Sequence, residues 1–196
     1  MIYNTLTICM STTQNIIIIT TEKDSYTISS TNIGKGVDGE VFPATTKNGH
    51  HIVVKIIPLN SFSNKEEYTQ FKDMHLYASN SKLHPTIYDF FEDEINSYMF
   101  MDALDGTLLD YVRKLKQNWE SVKEEIKQIV TPIHNTMFEL GITLGDDNME
   151  NYMFKGTKWY RIDFTASIRK KGNKKNYQHF SYLNIYTNQL EKIRLF

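Results

Sequence analysis

The sequence predicts an α+β protein with its strands gathered in the N-terminal half and its helices in the C-terminal half. Three observations carry this. Residues 26–57 alternate short β-branched runs with glycine-bearing turns, as antiparallel hairpins do. Residues 119–140 carry one apolar stripe at three- and four-residue spacing, the mark of a helix with a buried face. Only one stretch before residue 102, residues 64–80, has helical periodicity. Segregated strands and helices of this kind form α+β folds.

Residues 1–25 are rich in Thr, Ser, Asn and Ile and are expected to be an N-terminal extension with a strand at Ile16–Thr20. Strands follow at Tyr26–Ile28, Val41-Phe42 and Ile52–Ile57, with Asn48-Gly49 as a hairpin turn and Pro58 as a stop. The helix over 64–80 turns Tyr68, Phe71, Met74, Leu76 and Tyr77 inward, and His84-Pro85 makes a turn. Strands at Thr86–Phe91 and Ser97–Met101 flank the acidic Glu92-Asp93-Glu94. Residues 26–102 thus read as a lobe of about five strands and one helix, and residues 103–196 as a mainly helical lobe. In the second lobe, Leu108–Lys116 and Trp119–Leu140 are expected helices. The stripe of the longer one (Val122, Ile126, Ile129, Val130, Ile133, Met137, Leu140) is ordinary core packing, and Pro132 lies inside it. A strand pair, Tyr152–Phe154 and Lys158–Ile162, comes next. The stretch Tyr177–Phe196 has the apolar residues for one covering helix.

Bulk properties narrow the function. A net charge of -1 provides no field for nucleic acid or anionic lipid, so neither is an expected partner. The basic run Arg169–Lys175 reads either as a solvated loop or as a dock for an acidic group. One cysteine, Cys9, allows no intrachain disulfide and no cysteine-built zinc site, and the histidines show no HxxxH pair. The longest strongly apolar run, Ile16–Ile19, is far too short to span a bilayer. No secretory signal is visible at the N-terminus, so an intracellular, reducing compartment, cytoplasm or nucleus, is expected.

The chemistry lies in four fragments in fixed order. Gly34-Lys35-Gly36-Val37-Asp38-Gly39-Glu40-Val41 falls between two strands. A dinucleotide fingerprint would open a helix, where the N-terminal dipole meets a pyrophosphate. A glycine hairpin instead folds over phosphates and lets backbone N–H groups approach without a Cβ in the way. Taken alone, this fragment is equally well a hairpin with no ligand. Lys55 is the one cation in the apolar run Ile52–Ile57, where it faces either water or an anion; its place 14 residues after Val41 favours the anion. Asp146-Asp147-Asn148…Asn151 alone is an acidic turn. Asp163-Phe164 follows the strand pair.

In this order the fragments resemble the protein-kinase-like superfamily, over residues from about 26 to 168. The resemblance implies a two-lobed fold, an antiparallel sheet with one helix followed by a shortened, mainly helical lobe, and ATP with Mg2+ as cofactors. It implies that Ile33, Gly34, Gly36, Gly39 and Val41 cover the nucleotide and that Lys55 meets the α/β phosphates. Met101-Asp102-Ala103-Leu104 is similar to the gatekeeper and hinge that hold the adenine. Leu144–Asn151 falls on the pattern H-R-D-L-K-P-E-N, which makes Asp146 the catalytic base and Asn151 a metal ligand; Asp163 binds Mg2+.

The departures are informative. Leu144 and Gly145 replace the His and Arg of the pattern, which removes a partner for an activation-loop phosphate. Asn148 stands where a Lys contacts the γ-phosphate. Thr165 replaces the Gly of the Asp-Phe-Gly triplet, a form similar to haspin-type atypical kinases. The partner of Lys55 is open among Asp73, His75 and Glu67, with Asp73 preferred because a histidine does not neutralise a lysine. No Ala-Pro-Glu triplet appears in residues 169–196, so the large lobe is expected to be minimal.

Three functions compete. An atypical Ser/Thr protein kinase keeps Lys55, Asp146, Asn151 and Asp163. A pseudokinase that holds ATP, or only a regulatory protein partner, accounts for the departures. A small-molecule phosphotransferase shares Gly145-Asp146…Asn151, but the complete glycine loop and the hinge count against it.

Overall fold

The computed structural model describes residues 5–10, 15–36, 38–115, 119–143, 148–164 and 168–169. The chain divides into two compact units. Unit 1 comprises residues 1–72 and 86–103; unit 2 comprises residues 73–85 and 104–196.

Unit 1 is built on an antiparallel sheet of eight strands: β1 (Thr5–Met10), β2 (Asn15–Thr20), β3 (Ser25–Ile28), β4 (Gly34–Gly36), β5 (Gly39–Thr46), β6 (His51–Pro58), β7 (Ile87–Glu92) and β8 (Asn96–Asp102). The order across the sheet is β1-β2-β3-β5-β6-β8-β7, with β4 paired to β5. The fold class is the predicted one, but the strand count exceeds the expected five. The surplus comes from the β1–β2 hairpin, which pairs in register onto β3 (Ile17 with Ile28, Ile19 with Tyr26), and from the glycine segment, which is itself a strand.

The sheet curls. Thr21, just after β2, donates its hydroxyl to the Asp89 carboxylate on β7 at 2.5 Å, and Lys23 pairs with the same carboxylate at 3.2 Å. The β2–β3 corner therefore meets the strand at the far end of the sheet order. Inside the curl lie Ile19, Tyr26, Ile28, Ala44, Ile52, Val54, Phe91, Tyr98 and Phe100, all buried, with Tyr26 stacked on Phe100 at 3.8 Å between centroids. Strand alternation sends Val53, Lys55 and Ile57 to the opposite face. There Ile57 packs against Tyr68 and Phe71 of helix α1 (Lys65–Asn80).

Helix α1 begins where a capping residue lets it. The Asn64 carboxamide accepts from the Glu67 N–H at 2.9 Å, and the Glu67 carboxylate accepts from the Ser63 N–H at 2.7 Å, satisfying donors the first turn leaves open. From Asp73 onward the helix belongs with unit 2. That unit also contains β9 (Gly106–Thr107), α2 (Leu108–Lys114), α3 (Trp119–Glu139), β10 (Ile142–Thr143), β11 (Tyr152–Lys155), β12 (Lys158–Arg161) and β13 (Ile168–Arg169). Thr107 and Asp110 form a reciprocal capping box at the start of α2. The predicted stripe of α3 is the core: Val122, Ile126, Val130, Ile133 and Met137 are buried with Met74, Leu108, Met149, Tyr152 and Phe164. Leu140 falls one residue past the end of α3, which runs through Pro132. β11 pairs with β12 and β9, and β10 with β13. Among the described residues no helix is long and apolar enough to cross a membrane.

Candidate functional site

The candidate residues of unit 1 lie on β4, β5, β6 and the end of β8. Gly34 pairs with Val41, Lys35 with Glu40 and Gly36 with Gly39, so the glycine segment is a hairpin, as its position between strands predicts. Where it lies against β6, beside its turn, it is fixed by backbone geometry. Gly39 sits at φ 151°, and a Cβ there would lie 2.2 Å from the Ile56 carbonyl oxygen. Only glycine fits a backbone this close to its neighbour. Gly34 is different, because the nearest atom to a Cβ there is Val41 Cβ at 3.8 Å. The outer part of the hairpin is solvated: Lys35 and Glu40 form a 2.7 Å ion pair across it, and Asn32 donates to Glu40. That pairing, the hydrogen bond first, holds the Glu40 carboxyl below its usual range. Ile33 is 63% exposed beside it, an apolar side chain presented to solvent.

Lys55 stands directly between Val41 on β5 and Met99 on β8. Residues opposite one another share a face. Val41, Val53, Met99, Met101 and Ala103 make an apolar cluster on that face, and Lys55 is the cation set among them. Within its own unit Lys55 forms no ion pair among the described residues. Of the three partners left open by the sequence, Glu67 is engaged at the start of α1, Asp73 is exposed, and His75 is wholly buried. His75 packs edge-on against His84 and Phe164, with centroids 5.3 and 5.8 Å away. Met101 is buried. The Asp102 carboxylate accepts from the Thr86 N–H and the Tyr88 hydroxyl, and its main-chain N–H bonds to Thr86, which fixes the strand end where the hinge begins.

In unit 2, Leu104 is half-buried in a stretch without regular structure. Asn151 ends a single 3₁₀ turn (Met149–Asn151), and Asp163 follows β12. The β11–β12 ladder opposes Tyr152 to Arg161, and just beyond it the Ile162 N–H bonds to the Asn151 carbonyl at 2.9 Å. Asn151 and Ile162, eleven apart in sequence, thus come side by side at the open end of one hairpin, and Asp163 follows next in the chain. Asp146, with its neighbours at 144–147, lies outside the described residues, as do Val37 and Thr165. The Asn148 side chain accepts from the Glu150 N–H at 3.0 Å and caps the 3₁₀ turn.

A carboxylate and a carboxamide oxygen are hard donors of the type Mg2+ takes, and Mg2+ keeps several waters and phosphate oxygens rather than a full protein cage. Among the described residues no three His, Cys, Asp or Glu side chains cluster as a metal site. Side chains of the Asn151 and Asp163 types would suit an Mg2+ ion that keeps waters and phosphate oxygens.

One buried group carries no signal in the motifs. Arg161 is 1% exposed and its Nε–H donates to the main-chain carbonyl of Asp163 at 3.2 Å. In the sequence it is one residue of the alternating strand Lys-Trp-Tyr-Arg, and nothing there separates it from a surface arginine.

The family model of the protein kinase domain matches residues 27–187, well over half of the chain. No curated protein matches it.

Proposed function

The chain belongs to the protein kinase family, and from that premise we propose that it transfers the terminal phosphoryl group of ATP to Ser or Thr hydroxyls of a protein substrate. The observation that carries the reading is the bond between Asn151 and Ile162 at the end of the β11–β12 hairpin, which brings the neighbour of Asp163 to Asn151. In this reading those two residues hold Mg2+, which when bound neutralises charge on the phosphate oxygens. The glycine hairpin through Gly34, Gly36 and Gly39 covers the phosphates with backbone N–H groups. Lys55 offers the α/β oxygens a cation from an apolar strand face, where its charge acts in a low dielectric. Ile33, Val41 and Met101 offer apolar contacts to the base, and the backbone from Asp102 to Leu104 its polar ones. Asp146 orients the substrate hydroxyl and accepts its proton.

The test is label transfer from radiolabelled ATP, with Mg2+, to a generic basic protein, with Asp146→Ala and Asp163→Ala as controls. Transfer is expected from the wild type and lost in both variants. Transfer that survives both substitutions overturns the assignment.

A second reading, a nucleotide-binding module with little catalysis, is favoured by Asn148. The residue at the γ-phosphate lysine position is spent on capping a turn. This reading expects Mg-ATP to raise the melting temperature with no label transferred.

A further inference from the structure

Arg161 is among the largest fully buried side chains of the described residues. Its guanidinium carbon lies 5.0 Å from the centroid of the Tyr152 ring, its cross-strand partner. Tyr152 is itself wholly buried, and its hydroxyl is hydrogen-bonded to His134 Nε2 on α3. The main-chain N–H of Arg161 is donated to the Leu83 carbonyl at 2.8 Å. The residue is thus fixed along its length, and the group it fixes in turn is the Asp163 carbonyl.

A buried guanidinium is a poor choice for packing alone, because an apolar side chain of equal length fills the space without the cost of removing a charge from water. Its Nε–H, however, acts on the peptide of one proposed metal donor, two residues along the chain. We infer that Arg161 is a positioning residue: it sets the Asp163 peptide, and with it the aim of the Asp163 carboxylate, while the Ile162 bond to Asn151 sets the neighbouring donor. The inference rests on Asn151 and Asp163 being the metal donors of the proposed function.

The experiment compares wild type, Arg161→Met and Arg161→Lys in the full chain. It measures the melting temperature without ligand, and the Mg2+ concentration at which ATP gives half its maximal thermal shift. Loss of a residue that orients a metal ligand typically weakens metal affinity 10–100-fold. Arg161→Met is expected to need at least about tenfold more Mg2+ than the wild type, on the same grounds. Arg161→Lys recovers part of the difference. An unchanged Mg2+ requirement with a lowered melting temperature overturns the inference and leaves Arg161 a packing residue. Wild type with no Mg2+-dependent shift overturns the metal assignment itself, and the inference with it. A measurement on the wild type keeps the test independent of whether the variants fold. Of the four arginines, Arg113, Arg161, Arg169 and Arg194, the Nε–H of Arg161 should exchange slowly with solvent by NMR and move on addition of Mg-ATP. Fast exchange at all four contradicts the proposal.

Discussion

The two hairpins that carry the candidate residues are held in opposite ways. The β4–β5 hairpin is fixed where Gly39, beside its turn, lies against the Ile56 carbonyl of β6, and elsewhere carries solvent-facing polar contacts such as the Lys35–Glu40 pair. The β11–β12 hairpin is fixed along its ladder, with only its turn at 155–158 exposed. Arg161 and Tyr152 are buried within it, and Phe154 and Trp159 pack ring to ring at 5.0 Å further along. A cover for phosphates needs backbone latitude, whereas metal donors need a fixed aim. Glycine supplies the first and a buried hydrogen-bonded cation the second.

Substitutions at the two hairpins can break this contrast. The largest effect is expected where the first lies against β6. Gly39→Ala forces a Cβ against the Ile56 backbone and an L-residue into positive φ, and should cost about 3 kcal/mol or more in urea unfolding. Gly34→Ala, with room for its methyl, should cost well under half of that. Equal costs would remove the distinction between the glycine packed on β6 and the one with room for a methyl.

Next comes Tyr152→Phe, which deletes the hydroxyl bonded to His134 and keeps the ring under Arg161. A loss of about 1 kcal/mol in the same unfolding assay is expected for one buried hydrogen bond. No loss would mean that the second hairpin is held by packing alone.

The turn between β7 and β8 is an intermediate case, closed by a carboxylate rather than a glycine. Burial pushes the Asp93 carboxyl upward, but N–H donors from Asn96 and Ile95 and the Tyr98 hydroxyl outweigh it and hold it below its usual range. A carboxyl lowered in the folded state adds stability that is fully present above its ordinary value of about 4 and fades as pH falls through the lowered one. Asp93→Asn should therefore flatten the acid limb of the stability–pH curve below about pH 4. An unchanged acid limb would contradict the role of that carboxylate. The Tyr98 hydroxyl, raised to about 12 chiefly by burial, stays protonated across this range.

The smallest effect is expected at the exposed tip. Lys35→Ala should leave the melting temperature unchanged at any salt concentration, because an ion pair in solvent is screened and costs side-chain entropy to hold. A salt-dependent loss would show that the tip is stiffer than its exposure implies.

Much of this was legible in the residues. The glycine spacing, the lone lysine of an apolar strand and the α3 stripe name their structures because each rests on local periodicity or on a backbone freedom only glycine has. The strand at Ile16–Thr20 was legible from its β-branched run, but β1 and the pairing of β2 onto β3 escaped because pairing at a sheet edge is a long-range choice. Asp89 looked like any strand acid, and only the curl that brings Thr21 and Lys23 to it makes it a closure point.

By itself the sequence determined the α+β class, the order of the fragments and the residue types at Gly39, Lys55, Asn151 and Asp163. These depend on chemistry that travels with each residue. Only the tertiary structure decided that Asn151 pairs with Ile162, the neighbour of Asp163, at one hairpin end, that His75 is packed away beside Phe164, and that Arg161 is buried against the Asp163 peptide. Burial and cross-strand pairing are properties of the whole fold, and a side chain's charge acquires its meaning only once the water around it has been removed.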